Sequence, residues 1–142
     1  MKIYIDANLL VAVLNKEMPV FTYAARVLSL TNHPRFTLIT SPICLAIAFY
    51  FAEKKSGTKV AKEKMAHLCS FINIIDVTKE AVQQALADKR IQDFEDGMQY
   101  YAALAEQCSC IVTEDTEDFN FSSLAVYNSH EFLTKYIGEI KR

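Results

Sequence analysis

Five short runs rich in β-branched and aromatic residues, each separated from the next by stretches with helical spacing or turn signals, set the strongest limit on what this chain can fold into. The runs are Lys2-Ile3-Tyr4-Ile5, Phe36 to Thr40, Asn73 to Val77, Cys110 to Thr113 and Ala125 to Tyr127. Helical patterns span Ala7 to Asn15 and Phe21 to Leu30, and Asn32-His33-Pro34 marks a turn before the second run. Ser41-Pro42 reads as an N-cap with proline at the first helical position, opening an apolar helix to about Lys55 that is expected to be buried. After the break at Ser56-Gly57-Thr58, Val60 to Phe71 is expected to be helical; Thr78 caps a helix through about Asp88, and Asp93 opens another through Gln107. Ser129 is the expected cap of a last helix to Ile137. Strands alternating with helices predict a three-layer αβα domain with a central parallel sheet of about five strands, spanning residues 1–142 as one unit.

Composition narrows the function classes. At 142 residues the chain can close one full core, and 51% hydrophobic with 23% charged residues excludes a disordered or low-complexity reading. A formal charge of -2 advertises neither a nucleic-acid nor a membrane surface over the whole molecule. The longest apolar stretch, Ile43 to Ala52, is roughly half of a bilayer crossing, and Asp6 interrupts the opening run, so no membrane span or signal peptide is expected and the location reads as cytoplasmic. Cys44, Cys69, Cys108 and Cys110 lack the paired spacing of a zinc site and read as reduced thiols. His33, His67 and His130 have no ligand spacing, and Tyr50, Tyr100 and Tyr101 read as core or interface residues.

The acidic residues are unevenly placed. Nine of the 17 fall between Asp88 and Asp118, against only Lys89 and Arg90. Asp6 ends the first strand, Asp96 lies in the first turn of a helix, and Asp115 and Asp118 follow the fourth strand. In an open parallel sheet such ends meet at the switch point beyond the carboxyl edge. Carboxylates gathered there repel one another unless a cation holds them ionised. Oxygen donors of this kind suit Mg²⁺ or Mn²⁺, with a phosphodiester as substrate and water as nucleophile. Plainer roles stand beside these: Asp6 as a helix cap, Asp93 as the cap of the helix containing Asp96, and acids 115 and 118 as ordinary loop residues. Lys54, Lys55 and Lys59, in a lysine-rich segment from Glu53 to Lys64, either track substrate phosphates or form a solvated helix surface.

Three segments together resemble the PIN domain family: Ile3-Tyr4-Ile5-Asp6-Ala7-Asn8, Asp93-Phe94-Glu95-Asp96, and Ile111 through Phe119 with its I-V-T-x-[ND]-x-x-D-F pattern. The resemblance implies a Mg²⁺- or Mn²⁺-dependent ribonuclease in which Asp6, Asp96 and one or both of Asp115 and Asp118 are catalytic and hold the metal, with Asn8 and Thr113 as polar groups behind them. It also implies RNA as partner and, as for many bacterial members, a toxin–antitoxin pairing with an antitoxin protein, and it leaves open whether the chain forms a homodimer. One position departs. A family segment similar to S-x-x-x-L-A-E-x-x-Y carries a glutamate where this chain has Ile47. Glu53, six residues on, lies roughly 120° around the helix and is a poor replacement. The alternative is therefore a PIN-like domain of weakened or lost catalysis that binds RNA or a protein. A phosphatase or phosphotransfer receiver fits less well, because the Ser/Thr and Lys positions its chemistry needs are missing.

Overall fold

The computed structural model describes residues 1–138. Its strands are β1 (Lys2–Ile5), β2 (Thr37–Thr40), β3 (Asn73–Ile74), β4 (Cys110–Val112) and β5 (Ala125–Tyr127). Its α-helices are α1 (Ala7–Leu14), α2 (Val20–Ser29), α3 (Pro42–Ser56), α4 (Thr58–Cys69), α5 (Lys79–Ala87), α6 (Phe94–Ala105) and α7 (Ser129–Tyr136), with 3-10 turns at Leu30–Asn32 and Thr116–Phe119. The strands form one sheet in the order β3-β2-β1-β4-β5, with every pairing parallel. Helices flank this sheet in a three-layer αβα arrangement, as the alternation predicts.

The centre of the sheet is dry. Ile3, Tyr4 and Ile5 of β1 and Cys110, Ile111 and Val112 of β4 are fully buried, as a parallel sheet covered on both faces requires. Chain order makes β1 and β4 the switch point, because β2 and β3 lie to one side of β1 and β4 and β5 to the other. Their register sets Ile5 opposite Val112, so the residues that follow, Asp6 and Thr113, leave the sheet side by side.

Four local expectations change. The third strand shortens to Asn73–Ile74, an exposed edge strand with only one neighbour to pair with. The apolar helix α3 buries fully only the four-residue-spaced stripe Cys44, Ala48 and Ala52, leaving Tyr50 and Phe51 exposed; apolar content spread evenly around a helix does not say which face is covered. Ser41 does occupy the N-cap position of α3, but its hydroxyl is hydrogen-bonded to that of Tyr4 at 2.8 Å instead of to the helix. Asn128, not Ser129, caps α7, closing a reciprocal box with Glu131, while the Ser129 N–H donates to Glu114. No helix among the described residues is long and apolar enough to cross a membrane.

Candidate active site

Asp6 combines the two roles the sequence leaves open. Its Oδ1 accepts the Ala7 N–H at 2.7 Å and so caps α1, while its Oδ2 accepts the Thr113 hydroxyl at 2.8 Å. The Cys44 thiol lies 3.8 Å behind Oδ1. Burial raises the Asp6 pKa, and the hydrogen bonds from Thr113 and Ala7 oppose that rise. A carboxylate is thus held in a buried position by donors that prefer its ionised form.

Thr113 is the hinge of this arrangement. Its hydroxyl donates to Asp6 and accepts from Asn8 Nδ2 at 3.0 Å and from the Asp115 N–H at 3.1 Å, which exhausts what one hydroxyl can do. Asn8 is equally occupied: Nδ2 also donates to Asp115 Oδ2 at 3.3 Å, and Oδ1 accepts the Glu114 N–H at 3.1 Å. One turn of α1 and the loop after β4 are thereby locked together around Asp6.

The start of α6 supplies the opposite wall. Asp93 caps the helix, accepting the N–H groups of Glu95 at 2.9 Å and Asp96 at 3.2 Å through Oδ1. One carboxylate oxygen from each of Asp93, Glu95 and Asp96 lies within 4.8 Å of the others. Burial, reinforced by the charges of Asp93, Asp6, Asp118 and Glu95, pushes the Asp96 carboxyl up to about 7. Glu95 and Asp118 are also raised, by burial first and then by neighbouring acids. The cause is shared: too many carboxylates face one space.

That space is an open cavity of about 370 Å³ lined by Asp6, Asn8, Glu17, Asp93, Glu95, Asp96, Asp115, Asp118 and Gln99, with Ala7, Val11, Ile47 and Phe51 as its apolar portion. Seven carboxylates border it and, among the described residues, neither lysine nor arginine does. Asp6, Asp96, Asp115 and Asp118 are brought together, with Asn8 and Thr113 beside them. Lys54, Lys55 and Lys59 do not line it. Lys55 instead donates to the Asn15 carbonyl at the end of α1, and the Lys54 ammonium sits 5.5 Å from the centre of the Tyr50 ring.

The sequence also matches the PIN domain family over residues 2–117. The chain belongs to this family. This PIN domain is 24% identical over 139 residues, 95% of each chain, to Ribonuclease VapC1 of Aquifex aeolicus (strain VF5). Its fold is similar to that of VapBC2 from Rickettsia felis, solved bound to a DNA fragment from its promoter, with a TM-score of 0.70 at 20% identity over 90% of this chain and 98% of the other. It is likewise similar to VapC20 of Mycobacterium tuberculosis, described as a sarcin-ricin loop cleaving toxin, with a TM-score of 0.62 at 18% identity over 77% and 86% of the two chains.

Within this PIN domain, Ile47 does border the cavity from α3, where the family resemblance calls for a glutamate. Glu53 does not line it, and its carboxylate accepts the Thr58 hydroxyl at 2.7 Å. Two polar lining residues escape a reading of the sequence. Glu17 follows α1 and returns to the cavity because its N–H bonds to the Ala12 carbonyl at 2.8 Å, a fold-back that no motif announces. Gln99 lies three residues after Asp96, and that spacing, which places both on one helix face, is the one signal that points to it.

Proposed function

We propose that this PIN domain is a ribonuclease that hydrolyses RNA phosphodiester bonds with Mg²⁺ or Mn²⁺, and that it acts as the toxin of a toxin–antitoxin pair. The observation that carries the reading is the meeting of seven carboxylates around one cavity with no lysine or arginine among the described residues to balance them. All-oxygen anionic donors fit a hard divalent cation and suit neither a soft metal nor an anion. Asp6, Asp96 and one or both of Asp115 and Asp118 would hold the ion. Bound there, it supplies charge neutralisation at the phosphate and activation of water for in-line attack.

The chain's own groups prepare that site. Thr113 donates to the Asp6 carboxylate and opposes the rise that burial imposes on its pKa, Asn8 fixes Asp115, and the Asp93 cap sets where α6 begins and hence where Asp96 stands. The similarity to a VapC ribonuclease and to proteins solved as VapBC complexes supports both the substrate class and an antitoxin partner. A domain that binds RNA without cutting it is the second reading, favoured by Ile47 alone. Purified protein incubated with a mixed RNA pool in Mn²⁺ and in EDTA separates the two. Cleavage in Mn²⁺ that EDTA abolishes is expected; RNA binding with no cleavage at any Mn²⁺ concentration would establish the second.

A further inference from the structure

Among the described residues every charged side chain that borders the cavity is an acceptor, yet a phosphodiester brings acceptor oxygens of its own. A donor is needed. Asn8 cannot serve, because its amide nitrogen is committed to Thr113 and Asp115. Gln99 is different. It is only 1% exposed, it lines the cavity, and its Oε1 accepts the Cys44 thiol at 3.1 Å. Its Nε2 has no hydrogen-bond acceptor among the described residues. Turning the amide around would aim its carbonyl at the carboxylates, so both the thiol behind and the acids in front favour nitrogen toward the cavity. The nitrogen therefore opens on the cavity, where its two N–H groups are free for an acceptor that a ligand brings.

We propose that Gln99 is a substrate-binding residue whose amide N–H donates to a non-bridging phosphate oxygen of the RNA strand in this cavity, an assignment that rests on the ribonuclease reading above. Its position three residues beyond Asp96 on α6 sets the donor beside a proposed metal ligand, so one phosphate is held from its two sides by one helix face. The amide is neutral. It adds a donor without forming the ion pair with Asp96 or Asp6 that a lysine there would form.

Gln99→Met keeps the volume and removes the donor. Affinity for a short single-stranded RNA, measured by fluorescence anisotropy in Ca²⁺ to hold off cleavage, is expected to fall about tenfold or more, as for a lost hydrogen bond to a charged group. Mn²⁺ affinity by calorimetry should stay within about twofold of wild type, the margin expected when no ion contact is lost. An unchanged RNA affinity, or RNA and Mn²⁺ affinities weakened together, overturns the assignment. A second arm uses the unaltered protein: sulfur replacing one non-bridging oxygen at the cleaved linkage is expected to slow cleavage in Mg²⁺, and for one of the two diastereomers the loss is expected to persist in Mn²⁺. Full recovery of both diastereomers in Mn²⁺ also overturns it, even if Gln99→Met does not fold. Failure of wild type to bind or cut RNA at all removes the ribonuclease reading along with it and is distinguished by that control.

Discussion

The two helices that face each other across the cavity have opposite characters. From α6 and its cap come Asp93, Glu95, Asp96 and Gln99; from α3 come Ile47 and Phe51. Both helices begin just beyond the same edge of the sheet, so the contrast comes from side chains and not from placement. One wall is crowded with repelling carboxylates and the other is hydrocarbon. Charge is therefore concentrated where α6, β1 and the loop after β4 converge, and the α3 wall contributes shape and exclusion of water. The lesson is that an acid lost from one wall need not empty a site whose other elements supply seven.

The largest expected effect comes from the charged wall. Asp96→Asn should lower RNA cleavage on the order of a hundredfold or more, since a bound ion contributes several kcal/mol to the transition state. The same substitution should raise the melting temperature of metal-free protein, because it removes one of the mutually repelling acids; cleavage assays and thermal melts read the two opposite signs. Thr113→Val comes next. It strips the hydroxyl shared by Asp6, Asn8 and Asp115, and Mn²⁺ affinity measured by calorimetry should fall roughly 10- to 100-fold.

The apolar wall gives a gentler test. Ile47→Glu places a carboxylate on the cavity from the α3 side, so metal-free protein should melt several degrees lower, about the shift of a 1–2 kcal/mol loss. Added Mn²⁺ should restore that loss, and cleavage should rise. Loss of folding with and without Mn²⁺ would show that Ile47 belongs to the core and not to the site. The smallest effect is in pH. Asp96 is raised to about 7 in the folded protein from an ordinary carboxylate value near 4, so between those values the folded state binds more protons than the unfolded one. Stability of metal-free protein should accordingly fall as pH rises from about 4 to 7, and saturating Mn²⁺ should flatten or reverse the slope. Melts at stepped pH with and without Mn²⁺ check it.

How much of this is readable from sequence depends on the range of the forces involved. Strand runs and helix periodicity are local, and they place β1, β2, β4 and β5 to within a residue. Asp6, Asp96, Asp115 and Asp118 are legible because each sits at an element end, and parallel topology brings such ends to one edge. Caps are less secure: Asn128 and Ser129 are both good cap residues, and only the reach of Glu131 back to the Asn128 N–H decides between them. Glu17 and Gln99 stay hidden. The acid arrives by a left-handed turn at Lys16 that closes α1 without the glycine that would announce it, and the amide is a glutamine like any other until the fold leaves its nitrogen without an acceptor. The lysines fail as a guide because sequence shows charge but not its commitments.

Those commitments bear on how an RNA would be held. Lys55 and Lys64 both donate to carbonyls at the end of α1, Asn15 and Leu14, where the helix dipole favours positive charge. An ammonium held this way keeps its charge but is anchored at the end of α1, outside the cavity lining. Each phosphate that such an anchored lysine does not reach is worth roughly 0.7 in the slope of log affinity against log salt for a single strand. Recognition would then lean on directional contacts inside the cavity more than on a diffuse electrostatic field, and binding would survive physiological ionic strength with comparatively little loss.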